Sequence, residues 1–209
     1  MSGPVEFWFD FGSPYAYLAA EKLPAIVAAH GRTLRWRPVL LFAVLRKLDL
    51  PPPMGHPAKR DYLLMDFDRS ARHLGVPYRH PTRFPVVSPW PARLFHALAA
   101  RDEAAAAAFA RDALRAAFRD DQPLDEWPAL LALAARHDDR GADALLAAAD
   151  GAAARAALAA AIDEAAARGL FGSPFVVIDG EGFFGADRLP QVEARLAGTL
   201  APHTPLPLP

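Results

Sequence analysis

Val5-Glu6-Phe7-Trp8-Phe9-Asp10-Phe11-Gly12-Ser13-Pro14-Tyr15-Ala16-Tyr17 is the stretch from which the rest of the chain is read. Its apolar run, Val5 to Phe11, predicts a mostly buried strand. Gly12 allows a sharp turn, Ser13 is a helix-capping residue type, and Pro14 suits the first helical position. Behind them Leu18, Leu23, Ile26 and Val27 recur at helical spacing, which predicts a helix from Pro14 to about Ala29, closed by Gly31. The stretch therefore reads as strand, tight turn and helix, with a hydroxyl at the positive end of the helix dipole. Such an end attracts anions, a thiolate among them.

Working outward, Thr33–Val39 alternates Leu34 and Trp36 with Arg35 and Arg37 and reads as a second strand. A β-α-β unit this short requires parallel strands and a right-handed crossover. Leu40–Leu50 reads as a short helix stopped by Pro51-Pro52-Pro53. Ala58–Leu74 reads as another, ending at Gly75 with Pro77 beyond. Pro77 to Pro91 reads as irregular. The alanine-rich region from Ala92 to Arg168 reads as helices over Ala92–Arg101, Ala104–Phe118, Asp125–Ala135, Asp143–Ala149 and Gly151–Arg168. Asp102 and Asp125 lie near helix starts, where the dipole favours them. Strand character returns at Pro174–Asp179. Gly180-Glu181-Gly182 reads as the turn, Phe183-Phe184 as the start of a partner strand, and Arg188 to about Ala197 as a closing helix.

The order β-α-β, helices, β-β-α predicts an α/β, thioredoxin-like fold with an inserted all-helical domain. The thioredoxin-like domain is expected to be discontinuous, over residues 1–39 and 170–200. Residues 40–169 form the insertion and 201–209 a flexible, proline-rich tail.

The totals narrow the function. With 209 residues, 53% of them hydrophobic, the chain can bury a sizeable core. A net charge of −1 leaves no basic footprint for nucleic acid or an anionic membrane. No charge-free apolar run reaches the roughly 18 residues that a membrane span needs. The N-terminus carries no signal-peptide pattern, so the expectation is a cytoplasmic protein. There is no cysteine. That excludes disulfides, thiolate metal sites and a cysteine nucleophile within the chain, so any thiol chemistry needs a thiol from a bound molecule. The seven histidines show no metal-ligand spacing, and no metal site is expected. No phosphate-binding glycine loop, HExxH or GxSxG is present.

Three blocks carry a family resemblance. Asp10-Phe11-Gly12-Ser13-Pro14-Tyr15-Ala16-Tyr17-Leu18-Ala19 opens the chain. Pro57-Ala58-Lys59-Arg60-Asp61-Tyr62, with Asp66 and Arg69, lies in the middle. Gly172-Ser173-Pro174-Phe175 through Asp179-Gly180-Glu181 to Gly185-Ala186-Asp187-Arg188-Leu189 lies near the end. In this order they resemble the 2-hydroxychromene-2-carboxylate isomerases and the related kappa-class glutathione transferases, within the DsbA-like thioredoxin superfamily. The resemblance implies glutathione as cofactor and a small aromatic or conjugated carboxylate as substrate, with a homodimer as the common state of relatives. It also implies a reaction in which the glutathione thiolate adds reversibly to 2-hydroxychromene-2-carboxylate or a similar compound. Two alternatives stand beside the isomerase: a kappa-like transferase that conjugates glutathione, and a thioredoxin-fold binding protein without catalysis.

By the same resemblance Ser13 is the catalytic residue, its hydroxyl bonding the glutathione thiol. The plain alternative is an ordinary helix cap. Ser173 and a cis Pro174 would pair with the cysteinyl backbone of glutathione; an edge-strand proline is the alternative. Asp187 would receive the γ-glutamyl ammonium, or simply cap the last helix. Lys59 would meet the glycyl carboxylate, or be a solvated charge. Arg188 reads as a local structural partner. Ala186 stands where relatives often carry Asn or Ser and can contribute only its backbone. Val87 likewise stands where the family often has Asn. Trp90 and Phe42 read either as walls of an apolar substrate pocket or as core.

Overall fold

The computed structural model describes residues 3–203, so the end of the predicted tail, 204–209, lies outside the described residues. Strand β1 (Val5–Phe9) leads through a turn into helix α1 (Pro14–Ala29), and β2 (Leu34–Pro38) follows. Seven helices come next: α2 (Leu41–Lys47), α3 (Pro57–Leu74), α4 (Pro89–Ala99), α5 (Glu103–Phe118), α6 (Trp127–Ala134), α7 (Ala142–Asp150) and α8 (Ala152–Ala167). Strands β3 (Phe175–Ile178) and β4 (Glu181–Phe184), a 3₁₀ turn at Ala186–Arg188 and helix α9 (Leu189–Leu196) complete the chain.

The four strands form one sheet in the order β2-β1-β3-β4. β1 runs parallel to β2 and antiparallel to β3, and β3 is antiparallel to β4. This is the predicted α/β, thioredoxin-like arrangement: a β-α-β half and a β-β-α half, joined edge to edge across β1, with the intervening helices packed on the sheet. Both central strands are almost wholly buried, which is why β3 reads as a continuous apolar run and β1 departs from one only at the half-buried Glu6. On one face Phe7 and Phe9 stack at 4.9 Å, and Trp36 and Phe95 meet Phe9 edge-on. On the other, the Trp8 ring lies under the guanidinium of Arg37 at 4.4 Å and that of Arg168 at 5.3 Å. No single helix is long and apolar enough to cross a membrane among the described residues.

Local chemistry explains the boundaries. Asp102 caps α5 by accepting from the N–H groups of Ala104 and Ala105. Gly75 ends α3 in the left-handed conformation that only glycine adopts without cost. Three expectations need correction. The hairpin turn is Asp179-Gly180, with φ of 50° and 90°, and Glu181 already pairs with Ile178. Two consecutive positive φ values make the tight primed turn that matches strand twist, so β4 ends at Phe184 instead of starting at Phe183. Pro91 is helical, since α4 starts at Pro89 and prolines are tolerated in a first turn. The helix expected from Asp125 begins at Trp127, so Asp125 lies just ahead of it, and its carboxylate pairs with Arg83 at 3.1 Å.

Candidate functional site

The site grows from the turn between β1 and α1. Ser13 has extended backbone angles and its hydroxyl oxygen accepts the Ala16 N–H at 3.2 Å, so it is a true helix cap. The Ala16 and Tyr17 N–H groups are both taken by Ser13, at its Oγ and its carbonyl. Pro14 has no N–H. Tyr15 therefore carries the one first-turn donor left uncommitted among the described residues, beside the Ser13 hydroxyl. The same hydroxyl donates to the Ser173 carbonyl at 3.0 Å. That carbonyl belongs to the Ser173–Pro174 peptide, which is cis as expected. Ser173 is buried, and its own Oγ accepts the Asp10 N–H at 2.8 Å. Ser13 and the Ser173-Pro174 pair, far apart in sequence, thus share one cluster at the positive end of α1.

Asp10 holds this cluster in register, a role the sequence did not reveal. Its carboxylate is buried and accepts from the Gly12 N–H at 2.7 Å and the Leu41 N–H at 2.6 Å. The Ser88 hydroxyl faces the same carboxylate. One side chain therefore binds the β1–α1 turn to the start of α2. Burial pushes the Asp10 carboxyl above its ordinary value, against the pull of these hydrogen bonds. Gly12 is needed for a different reason. A Cβ there would stand 2.9 Å from the Val86 carbonyl oxygen and 3.2 Å from the Asp10 carboxylate. The segment carrying Val86 follows a second cis peptide, Phe84–Pro85, and it leaves Val87 exposed.

Helix α3 flanks the cluster. The Tyr15 hydroxyl donates to Asp66 at 2.6 Å, and Ser70 and Arg69 bond the same carboxylate. Burial and the adjoining Asp66 push the Tyr15 phenol well above its usual range, with smaller contributions from Tyr62 and Asp187. Lys59 is exposed on α3, two turns before Asp66 and on the same helical face, and it makes no ion pair among the described residues. Asp187 is largely exposed and bonds Arg188 at 3.0 Å. It does not cap α9: it lies inside the 3₁₀ turn and its carboxylate folds back over Gly185, where a Cβ would meet it at 2.3 Å. Ala186 is buried, so only its backbone is available to a ligand. Trp90 stacks on Trp127 at 4.9 Å, which is a packing role, while Phe42 at the start of α2 stays 57% exposed.

The arrangement offers a hydroxyl proton, a free helix N–H and a carbonyl at one spot, with an exposed lysine and an exposed carboxylate on the elements either side. The chain itself supplies no thiol. The site is a holder for an anionic or polarisable atom supplied by a ligand.

Comparison with known proteins accords with this geometry. The DSBA-like thioredoxin domain family matches residues 4–197. A 2-hydroxychromene-2-carboxylate isomerase of Sphingobium xenophagum is 30% identical over 94% of this chain and 99% of its own length. The enzyme of the same name from Pseudomonas putida is 33% identical, over 38% of this chain and 40% of its own length. A solved structure of 2-hydroxychromene-2-carboxylate isomerase superposes with a TM-score of 0.79 at 26% identity, covering 93% of this chain and 95% of that one.

Proposed function

This chain belongs to the 2-hydroxychromene-2-carboxylate isomerase family of DSBA-like thioredoxin domains, and on that premise we propose that it is a glutathione-dependent isomerase of a small aromatic or conjugated carboxylate. One observation carries the reading. In a chain without cysteine, the Ser13 hydroxyl stands at the N-terminus of α1 and donates to the carbonyl before a cis proline.

That bond is a latch that a thiol peptide can open. The cysteinyl N–H of glutathione would donate to the Ser173 carbonyl, as an added strand does. The Ser13 proton would then be released to point at the thiol sulfur. A free thiol has a pKa of about 8.5 and is mostly protonated at neutral pH; a hydroxyl donor and a helix N-terminus both favour the thiolate. Lys59 would pair with the glycyl carboxylate, Asp187 with the γ-glutamyl ammonium, and the Ala186 backbone would line the same side. Bound there, glutathione would supply a thiolate able to add reversibly to a conjugated carbon and so allow rotation about the former double bond, while Ser13 and the α1 N-terminus would hold the sulfur in its anionic form. Phe42 and Val87, exposed beside the turn, are the apolar surfaces nearest in sequence to the residues that Asp10 holds.

Calorimetry with glutathione and S-methylglutathione tests this. Ser13→Ala should weaken glutathione binding and leave S-methylglutathione unchanged, because the thioether has no thiolate to stabilise. The absence of glutathione binding to the native chain would remove the proposal, and equal weakening for both ligands would reduce Ser13 to a cap.

A further inference from the structure

Helix α2 borders the Ser13 cluster and carries two side chains that the fold does not employ. Its first residue, Leu41, gives its N–H to one Asp10 oxygen at 2.6 Å, and the other oxygen takes the Gly12 N–H at 2.7 Å. One carboxylate thus links the start of α2 to the turn that presents Ser13. The Val86 carbonyl borders the same turn, 2.9 Å from where a Gly12 Cβ would stand, and Val87 after it is exposed. Within α2, Val44 and Leu45 are buried, and Lys47 pairs with Asp163 of α8 at 2.9 Å. Phe42 and Arg46, four residues apart, share the face that the core and α8 leave free.

Arg46 stands apart from the other cations. Of all the arginines, only Arg46 and Arg111 have no ion pair among the described residues. Arg111 is half-buried on α5, whereas Arg46 is exposed. Asp49 is the nearest carboxylate in sequence. However, α2 ends at Lys47, and Asp49 takes up the left-handed conformation, φ 55°, without bonding Arg46. Phe42, at 57%, is the most exposed large apolar side chain among the described residues. A lone exposed apolar residue needs no explanation. A phenyl ring and an unpaired guanidinium one helical turn apart, beside a site for a thiol, together fit an aromatic acid. The ligand ring packs on Phe42, and the planar fork of Arg46 takes both carboxylate oxygens. The plain alternative is that Arg46 complements the dipole at the end of α2, which predicts an effect on stability and none on ligand choice.

We propose that Phe42 and Arg46 select the substrate of the Ser13 site, a conjugated aromatic carboxylate whose ring lies against Phe42 and whose carboxylate pairs with Arg46. This rests on the reading of the Ser13 cluster as a thiol site. It leaves Lys59 and Asp187 to the thiol peptide and gives the second ligand a cation of its own.

The test is amide chemical-shift titration of the full chain with trans-cinnamate, and in parallel with trans-cinnamamide, which has the same shape and no charge. Both are run with S-methylglutathione at saturation, so that no addition takes place. Shifts should centre on residues 42–46 and on Val87, with cinnamate about fivefold tighter than the amide, the upper end for an exposed ion pair. Arg46→Gln should bring cinnamate down to the level of the amide, leave the amide and S-methylglutathione unchanged, and be partly rescued by Arg46→Lys. Phe42→Ala should weaken cinnamate and the amide alike. Equal loss of both ligands in Arg46→Gln, weakened S-methylglutathione in that variant, or cinnamate shifts away from α2 would each overturn the proposal. Binding of S-methylglutathione without saturable binding of cinnamate would remove this proposal alone. Failure of S-methylglutathione to bind the native chain would remove the thiol reading and this one with it.

Discussion

Replacing Asp10 with asparagine isolates the residue that ties the β1–α1 turn to the start of α2. The carboxylate takes the Gly12 N–H on one oxygen and the Leu41 N–H on the other. Asparagine keeps one acceptor oxygen and sets an amide donor against the second N–H. One buried donor then lacks a partner, a cost of about 1–3 kcal/mol. For a chain of this size that lowers Tm by about 2–12 °C, at roughly 2–4 °C per kcal/mol. The pH dependence carries a sign. The folded-state value of Asp10 is raised above 3.8, so the native state keeps a proton that the unfolded chain has released. Stability contributed by that proton is fully present below pH 3.8 and is lost as pH rises through the folded value. Asparagine has no such loss. The deficit of Asp10→Asn relative to the native chain should therefore be largest at acid pH and shrink toward neutrality. Denaturant unfolding of both proteins across that window measures it, and every other titration cancels in the difference. A deficit that grows with pH would show the two N–H bonds, and not burial, to dominate. No deficit at any pH would refute the bridging role itself.

Gly12→Ala forces a Cβ to within 2.9 Å of the Val86 carbonyl oxygen, an overpacking worth about 1–3 kcal/mol; it should lower Tm and shift the amides of 84–88, and an unchanged Tm would mean the two loops are not in contact. Tyr15→Phe deletes the bond to Asp66 and leaves a carboxylate still served by Ser70 and Arg69. It should cost about 0.5–1.5 kcal/mol in denaturant unfolding, and a loss above that range would mean Tyr15 does more than join α1 to α3.

Where local chemistry decides, the sequence was sufficient. Ser13, Pro14 and the apolar spacing behind them define α1 without help from the rest of the chain, and its observed limits are those expected. The hairpin was misplaced because Gly180 and Gly182 flank Glu181 symmetrically, and the sequence does not show that Asp179 adopts the left-handed conformation. Asp10 escaped notice for a different reason. A single carboxylate at the end of a strand reads as the entry to a turn, and its partner at Leu41 is distant in sequence. That Ser13 and Ser173 belong to one site was expected only through the family blocks, since a serine before proline is common in any loop, and the direct bond between them was not expected.

The sheet also sets an order of events on the ribosome. β1 lies at the sheet centre, yet its antiparallel neighbour β3 is among the last elements to be made. At about 5–20 residues per second, β1 waits on the order of 10–30 s between its own synthesis and that of Phe175. For that interval one edge of a strand bearing Phe7, Trp8 and Phe9 has no partner from its own chain, an open template for a neighbouring nascent chain. The helices α2–α8 emerge during the wait, and their early packing against β1 and β2 is what can shield it. Variants that loosen α4 or α8 should therefore reduce soluble yield more than their effect on equilibrium stability suggests.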